Sequence, residues 1–420
     1  EVAQNGYPLD FYMRAMKPST SGGWAYPGAK KKYARECCLP FKKDSYMPLF
    51  DVKSQVHEQI NAYLHGEQAN VLLGAQLKDE PRAWAKVEQA KTRVFCMSPY
   101  DSTLVNRMYL MPFYTLMVEH GDVFGCCVGI NMHSTDVDEF VTTLQDFAED
   151  LMEGDYGGFD TSMPYDIGLM ANTIVYNVVK AFGYNSEALK IVQGILSENL
   201  NPLVVMGKTI FRAPAFQPSG KYATAEDNSL RGLVMLVYAW FKLNCDSFGE
   251  FFDFVLPRIY GDDVLAAVKP EVTSYFNNVE YEKVCRLVYG LDFTNAQKTK
   301  DMLPFVTLDT CSFLKREFHF CDETDHWVAR LDRKSIMKAI CFYLPSKNET
   351  EADQIISSCV SALRELFFWT PRDQYDELRV KFAAYCSEYY SRNETEILKL
   401  FPRFDDIEAQ LYGDPNIAIV

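Results

Sequence analysis

Two adjacent carboxylates, Asp262 and Asp263, lie between apolar residues in RIYGDDVLAAV, residues 258–268. This pattern predicts a tight hairpin with the acids at its tip. A third carboxylate, Asp155, lies at the end of another predicted strand, in EGDYGGFD. If the two strand ends are neighbours, bound divalent cations would relieve the repulsion among the three acids. Two cations about 4 Å apart can stabilise the attacking and leaving oxygens of a phosphoryl transfer.

A basic segment is the second feature with possible chemistry. Five basic and three acidic side chains lie between residues 78 and 93, a surplus of two positive charges. The pattern is equally typical of an exposed, salt-bridged surface and of a ribbon that faces phosphates. The basic residues are Lys78, Arg82, Lys86, Lys91 and Arg93.

The whole chain is nevertheless acidic, with 420 residues and a formal net charge of −15. This total argues against a general nucleic-acid binder, because phosphate contacts need Lys and Arg. A basic groove inside an acidic shell would still bind phosphates. Residues 1–50 are expected to be irregular, and the simplest interpretation of their basic run Lys30–Lys32 is a solvated loop.

The elements around the first acidic motif would position its carboxylates. Asp155 and Asp160 lie on a predicted strand-to-helix turn, where Ser162 can cap the helix and Pro164 suits its first turn. The helix is expected to end at Gly183. Its apolar face would comprise Ile167, Met170, Ile174 and Val178.

A Pro-Ser-Gly loop at residues 218–220 leads into a second long helix, rich in Leu, Val and Met. Asn228 lies inside this helix although Asn has a poor helix propensity. It therefore needs a polar partner or a function, while an exposed helical Asn is the commoner interpretation.

After the hairpin, the patterns predict a helix at about residues 279–289 that Gly290 ends, and short strands within 292–300 and 308–318. From about residue 325 onward, the periodicity predicts helices separated at prolines.

The twelve cysteines form no C-x-x-C pattern and are expected to be buried, reduced thiols of a cytosolic protein. A zinc site is a less favoured interpretation, because the candidate ligands match no standard spacing. These ligands are His319, Cys321, Asp325 and His326. No apolar run reaches the length of a membrane span, and no signal peptide is evident. The chain opens with Glu1, which is typical of a processed product or a trimmed chain.

The ordered set of motifs resembles the RNA-dependent RNA polymerases of picornavirus-like, positive-strand RNA viruses over about residues 18–320. KDEPRAWAKVEQAKTR is similar to the family's fingers motif, and DYGGFD and PSGKYATAEDNS resemble its first two palm motifs. YGDD is the hallmark turn, GLDFTNAQK resembles the fourth palm motif, and CSFLKREF the primer-grip motif. TSGGWAYP resembles the template-entry loop. The details are closer to an invertebrate-virus relative than to a mammalian enterovirus.

The resemblance implies an α+β right-hand fold, with an antiparallel palm sheet flanked by helices and a helical thumb. The template-entry loop starts near residue 20, so the N-terminal part of the fingers would be missing, which puts the activity of the chain alone in question. The implied boundaries are fingers 1–110, palm 111–199, a fingers insertion 200–217, palm 218–322 and thumb 323–420.

The resemblance also assigns the metal and acid chemistry. Asp155 and Asp262 would be the principal ligands of Mg²⁺, with Asp263 in support and with Mn²⁺ able to substitute. Lys298 would be the general acid that protonates the leaving pyrophosphate.

Nucleotide recognition follows from the same resemblance. Asp160 and Asn228 would recognise the ribose hydroxyls, since an Asp and an Asn together can accept from and donate to a 2′-hydroxyl. Ser219 and Thr224 would help, and Arg93 with the other basic residues at 78, 82, 86 and 91 would hold the triphosphate.

RNA would contact two further places. Thr20, Ser21 and Gly22 would meet the template, and Lys315 and Arg316 would meet the primer end. The implied partners are template and primer RNA, NTPs and a genome-linked protein primer. The implied location is the cytoplasm of a host cell, at membrane-associated replication sites, and the chain would derive from a polyprotein.

The sequence departs from the family pattern at one position, and two other functions are alternatives. Ala223 replaces a family glycine, which would stiffen the loop after Ser219. A reverse transcriptase shares the palm, but Gly261, Asp160 and Asn228 together favour ribonucleotides. A catalytically inactive RNA-binding fragment is the other alternative.

Overall fold

A computed structural model describes residues 1–297, 301–346, 348–390 and 393–413. Within them, the chain forms two units. The first unit comprises Glu1–Val128, Gly154–Leu265 and Ser274–Pro304. The second comprises Gly129–Glu153, Ala266–Thr273 and Phe305–Val420.

The strands are mostly short and antiparallel. In chain order they are β1 (Ala34–Leu39), β2 (Lys42–Pro48), β3 (Leu72–Leu77), β4 (Val94–Met97), β5 (Asp150–Gly157), β6 (Leu203–Met206), β7 (Thr209–Arg212), β8 (Val255–Tyr260), β9 (Asp263–Val268), β10 (Asp292–Thr294), β11 (Arg316–Cys321) and β12 (His326–Leu331).

The helices range from 4 to 20 residues in length. In chain order they are α1 (Val2–Asn5), α2 (Phe50–Leu64), α3 (Trp84–Glu88), α4 (Tyr100–Glu119), α5 (Gly121–Phe124), α6 (Asp136–Phe147), α7 (Phe159–Ser162), α8 (Tyr165–Ala181), α9 (Ser186–Leu200), α10 (Thr224–Lys242), α11 (Phe251–Phe254), α12 (Asn278–Val284), α13 (Arg333–Cys341), α14 (Glu351–Leu366), α15 (Arg372–Tyr390), α16 (Glu394–Leu400) and α17 (Phe404–Tyr412).

The sheet that carries the acids has the strand order β10-β5-β9-β8. The predicted hairpin is confirmed, because β8 and β9 are joined by a turn at Gly261, whose φ of 66° suits glycine. The unit boundaries fall inside β5 and β9, and the acidic ends of both strands belong to the first unit. A second sheet of the first unit has the order β4-β3-β6-β7.

Long helices build the core of the first unit. Fully buried side chains from α4, α8 and α9 meet there, among them Tyr100, Val105, Val175 and Val192. Each such side chain contributes about 1.5–3 kcal/mol through removal of apolar surface from water. This core supports α10, which packs against β8.

The predicted helix after Asp160 exists, but its start and its face differ from the prediction. Ser162 belongs to the separate single-turn helix α7, and α8 starts after Pro164. Ile167 is buried as predicted, and Ile174 and Val178 are half-buried against the core, whereas Met170 is exposed. Ala171 and Val175 are fully buried, so the buried stripe is centred about one position from the predicted one.

Two predictions for the rest of the chain were wrong. Residues 34–48 are not irregular, because β1 and β2 form a hairpin. Its only buried strand side chains are Leu39 and Ser45, so no apolar alternation marked it. The helical region does not start at residue 325, because β12 pairs with β11 first. The helix before Gly290 is confirmed, and it closes with a π turn at Cys285–Tyr289.

The second unit has its own core. It contains the β11–β12 hairpin, and helices α14 to α17 bury Cys359, Leu363, Tyr375 and Phe404. All twelve cysteines are free thiols, as expected, but Cys38 and Cys341 are exposed. Within the described residues, no helix is both long and apolar enough to cross a membrane.

Candidate active site

The three candidate metal-binding acids, Asp155, Asp262 and Asp263, lie on or next to adjacent strands in the first unit. Asp262 is in the turn between β8 and β9 and is exposed, while Asp263 opens β9 and is half-buried. Asp155, also half-buried, lies on β5, which is the neighbour of β9. Adjacent strands are about 4.8 Å apart. The sheet order therefore places the strand that carries Asp155 beside the strand that follows the acidic turn.

An electrostatic effect supports this proximity. Burial raises the pKa of the Tyr156 phenol well above its ordinary value, and the nearby Cys285, Tyr289 and Asp262 raise it further, against an opposing hydrogen bond with Tyr281. Tyr156 directly follows Asp155 in β5. The charge of the hairpin acid is therefore felt at the strand that carries the other acid.

A buried serine holds the acidic turn in place. The N–H of Gly261 donates to Ser229 Oγ at 2.9 Å, and Ser229 is fully buried in α10. The same hydroxyl donates to the carbonyl of Ala225 at 2.9 Å, with the carbonyl of Ile259 at 3.3 Å as a second acceptor. Helix α10 thus positions the turn. Sequence reasoning missed Ser229, and its only local signal was a hydroxyl at the start of an apolar helical stretch.

The acids suit a metal that is shared with a substrate. Among the described residues, no three His, Cys, Asp or Glu side chains are grouped so that they could hold a metal ion by themselves, and this includes the three acids. Mg²⁺ keeps several waters and is usually bound through one or two carboxylates together with substrate phosphates. A donor set of half-buried and exposed carboxylates on adjacent strands fits that mode.

The predicted ribose-recognition residues also lie in the first unit. Asp160 is in α7, and its carbonyl accepts from the backbone N–H of Gln217 at 2.8 Å. Asn228 is in α10, and its Oδ1 is buried without a hydrogen-bond partner in the part of the chain that the structure describes. A buried acceptor without a donor is rare in folded proteins. It fits a site in which a ligand supplies the missing donor.

The loop that carries Ser219 is clamped to β4. The N–H of Cys96 donates to the carbonyl of Ser219 at 2.8 Å. Gly220 has a φ of 98°, and a Cβ there would lie 2.5 Å from the carbonyl oxygen of Cys96. Only glycine allows this approach. Thr224 is one turn further along, and its hydroxyl donates to the carbonyl of Lys221 at 2.8 Å.

The basic segment gathers three of its cations on one acid. Glu80 lies 3.5 Å from Lys78, 3.4 Å from Arg82 and 3.9 Å from Arg93. Lys86 and Lys91 are exposed. The segment is therefore a salt-bridged surface in this structure.

The predicted template-entry residues form an anchored loop. Lys30 donates to the Thr20 hydroxyl at 2.8 Å and to the carbonyl of Ser21 at 2.6 Å. Gly22 is buried, and its carbonyl accepts from the N–H of Tyr100 at 2.8 Å. Thr20 and Ser21 stay exposed at the surface, so their template contact stays a prediction.

The two predicted primer-contact residues differ in exposure within the second unit. Lys315 is exposed, whereas Arg316 is 8% exposed and donates to both carboxylate oxygens of Glu365 at 2.8 and 2.9 Å. Burial acts to raise the pKa of Glu365, but hydrogen bonds from His133 and Arg316 outweigh it and hold that pKa at about 2. Arg316 therefore has a structural partner in Glu365, and contact with a primer stays a prediction for both residues.

The predicted general acid cannot be placed, and the candidate zinc site does not form among the described residues. Lys298, the predicted general acid, lies outside the described residues. The candidate zinc ligands around His326 do not assemble, because no metal-binding group of three is found in the described ranges. His326 instead lies 2.7 Å from Asp138.

Comparisons with known proteins agree with these motifs. A family model described as "Viral RNA-dependent RNA polymerase" matches residues 1–387. The replicase polyprotein of Drosophila C virus is 26% identical over 97% of this chain and 24% of that protein. The replicase polyprotein of Cricket paralysis virus is 26% identical over 90% of the chain and 22% of that protein. The RNA1 polyprotein of Cowpea mosaic virus is 26% identical over 99% of the chain and 22% of that protein.

The chain thus spans about a quarter of the length of these curated relatives. Among solved structures, "Sicinivirus 3Dpol RNA dependent RNA polymerase" matches with a TM-score of 0.77 and 16% identity. The match covers 97% of this chain and 79% of that chain. At this identity the likeness shows a shared fold, which is α+β as expected.

Proposed function

The chain belongs to the viral RNA-dependent RNA polymerase family, and from this membership we propose that it extends an RNA primer on an RNA template by nucleotidyl transfer. Its α+β right-hand fold is that of the matched polymerase structure. The observation that carries the proposal is the position of Asp155 on the strand beside the turn that holds Asp262.

Family members use divalent metal ions, and we assign Mg²⁺ to this site, with Mn²⁺ as a substitute. Asp155 and Asp262 would hold the ions, with Asp263 in support. When bound, the ions would lower the pKa of the attacking 3′-hydroxyl and neutralise charge on the leaving pyrophosphate. The chain itself contributes position, because Ser229 fixes the turn that presents Asp262.

Substrate selection would rest on α7, α10 and the loop between them. Asp160 and Asn228 would bind the ribose hydroxyls, with Ser219 and Thr224 beside them. The unpartnered Oδ1 of Asn228 would accept a hydrogen bond from the 2′-hydroxyl. A deoxyribonucleotide would leave this atom unsatisfied, and such a loss is costly in a buried site.

The basic segment would bind the triphosphate. Arg93, Arg82 and Lys78 would exchange Glu80 for phosphate oxygens, with Lys86 and Lys91 nearby. Lys298 would protonate the pyrophosphate as it leaves. These contacts are charge-assisted and therefore stronger than neutral hydrogen bonds.

We assign the remaining predicted residues to RNA contacts and the chain to three polymerase subdomains. Thr20, Ser21 and Gly22 would guide the template, and Lys315 would contact the primer end, supported by Arg316. Fingers would comprise residues 1–110 and 200–217, the palm 111–199 and 218–322, and the thumb 323–420. A genome-linked protein primer and membrane-associated sites in the host cytoplasm are the proposed partner and location.

Primer extension tests the proposal. The chain is incubated with a primed RNA template, Mg²⁺ and either NTPs or dNTPs. Asp262→Ala should abolish elongation, while Asp253→Ala, an exposed acid on α11, should not. Elongation that survives Asp262→Ala, or a preference for dNTPs, would contradict the proposed function. Persistent RNA binding without elongation in the unaltered chain would favour an inactive RNA-binding fragment.

A further inference from the structure

Four polar side chains are buried together around the loop that carries Ser219. Gln217, Lys221, Asp227 and Arg231 are 1%, 8%, 3% and 1% exposed. They form a connected network, called here the α10 network. It belongs entirely to the first unit, and the proposed chemistry assigns none of its members a role.

One carboxylate oxygen is the centre of this network. Oδ2 of Asp227 accepts from Gln217 Nε2 at 2.6 Å, from Lys221 Nζ at 3.0 Å and from Arg231 Nη2 at 3.3 Å. Lys221 also donates to Gln217 Oε1 at 2.7 Å. Burial opposes the charge of Asp227, but Arg231 and Lys221 outweigh it and hold the pKa of that carboxyl below its usual range.

Burying the charged groups of the α10 network costs desolvation free energy that an apolar core would not cost. The network buries two cations against one anion, and Nε and Nη1 of Arg231 have no hydrogen-bond partner within the described ranges. Apolar residues of similar volume are often as stable as a buried ion pair or more stable. Stability alone therefore does not explain why these polar residues are buried. A structural role that apolar side chains cannot perform explains it.

The network connects the segments that carry the proposed ribose-recognition residues. The backbone N–H of Gln217 donates to the carbonyl of Asp160 at 2.8 Å, which ties α7 to the network. Asp227 directly precedes Asn228 in α10. Lys221 lies two residues after Ser219, in the loop that Cys96 clamps. Three segments are thus joined through one buried carboxylate.

Recognition of a single hydroxyl depends on small distances. Binding groups must be held within about 0.5 Å of their productive positions by the residues behind them. We propose that Gln217, Lys221 and Asp227 are positioning residues for ribose selection, which set the spacing between Asp160 and Asn228 without touching the nucleotide. This inference rests on the proposed polymerase function and assigns sugar discrimination to a buried network.

Gln217→Met is the sharpest test. It keeps the length of the side chain and removes both amide hydrogen bonds, while Lys221, Asp227 and Arg231 remain paired. The ratio of kcat/KM for ATP to that for 2′-dATP should fall roughly fivefold to tenfold, the scale of one lost hydrogen bond. The loss should lie in the ATP reaction, mainly in KM, and should leave the 2′-dATP reaction nearly unchanged.

A second variant and a matched control separate positioning from stability. Lys221→Gln leaves Asp227 paired with Arg231 and should lower the same ratio. Asn172→Leu removes another buried amide, whose Nδ2 donates to the carbonyl of Leu196 at 3.0 Å and joins α8 to α9. This control should lower the melting temperature without changing the ratio.

The outcomes distinguish the inference from the function on which it rests. Asn228→Ala should also lower the ratio, because it removes the proposed contact itself. An unchanged ratio in both network variants, beside a lowered ratio in Asn228→Ala, overturns the inference alone. Equal losses for ATP and 2′-dATP overturn it as well, since they indicate a purely structural role. A wild-type chain that does not elongate overturns the proposed function and the inference together.

Discussion

Ala223 is held in a conformation that favours glycine. Its φ is 55° and its ψ is 36°, and it is the residue before the first turn of α10. Its carbonyl accepts from the N–H of Asp227 at 2.9 Å, so the helix depends on this geometry. The family resemblance implies a glycine at this position, and Ala223 replaces it. The left-handed region costs an L-residue with a Cβ about 1–2 kcal/mol.

Ala223→Gly should therefore stabilise the first unit. Relief of the left-handed strain contributes about 1–2 kcal/mol, and the greater freedom of glycine in the unfolded chain offsets about 0.4–1 kcal/mol of it. The midpoints of these two ranges leave a net gain of about 0.8 kcal/mol, which corresponds to a rise of roughly 2 °C in the melting temperature of this unit. Differential scanning calorimetry measures it, and elongation should stay within about twofold because the helical hydrogen bond remains.

Two alanines serve as controls for this substitution. Ala225 lies inside α10, where glycine costs up to about 1 kcal/mol, so Ala225→Gly should lower the melting temperature. Ala215 has a φ of 61°, so Ala215→Gly should raise it. A fall in the melting temperature with Ala223→Gly, equal to that of Ala225→Gly, would refute the reasoning from backbone strain.

Three other perturbations have defined outcomes. Ser229→Ala leaves the N–H of Gly261 without its acceptor, a cost of about 1–3 kcal/mol, so kcat should fall roughly 5-fold to 150-fold; an unchanged kcat would show that the serine does not position the turn. Glu365 has a folded-state pKa of about 2 against an ordinary 4.5, so its stabilisation of the second unit, about 3 kcal/mol, is complete above pH 4.5 and is lost as the pH falls toward 2. Glu365→Gln should flatten acid unfolding followed by circular dichroism in that window, and an equally steep transition would contradict this assignment. Arg93→Ala should raise the KM for NTPs roughly tenfold with little change in melting temperature, because its ion pair with Glu80 is half-exposed; Lys190→Ala on α9 is the control, and an equal KM in both variants would exclude Arg93 from triphosphate binding.

The motif residues and their supporting turns were predictable from the sequence. The β8–β9 hairpin, the long helix that contains Asn228 and the helix end at Gly290 all depend on local patterns. Apolar periodicity and glycine positions act over a few residues, so they can be recognised without the fold. The order of the motifs was enough to predict the family.

Partners far apart in the chain could not be predicted in this way. The hairpin β1–β2 and the strand β12 carry too few buried side chains for a clear alternation. Glu80 is near Lys78 and Arg82 in the sequence, but its ion pair with Arg93, 13 residues further on, depends on how the loop folds.

The sequence by itself determined which residues could perform the chemistry, because residue type and local pattern are properties of short segments. Tertiary structure alone decided what holds those residues in place. Ser229 meets Gly261 across 32 residues, and Arg316 meets Glu365 across 49. Such contacts form only when separate elements pack together. The pattern around one partner does not identify the distant residue that will form its hydrogen bond.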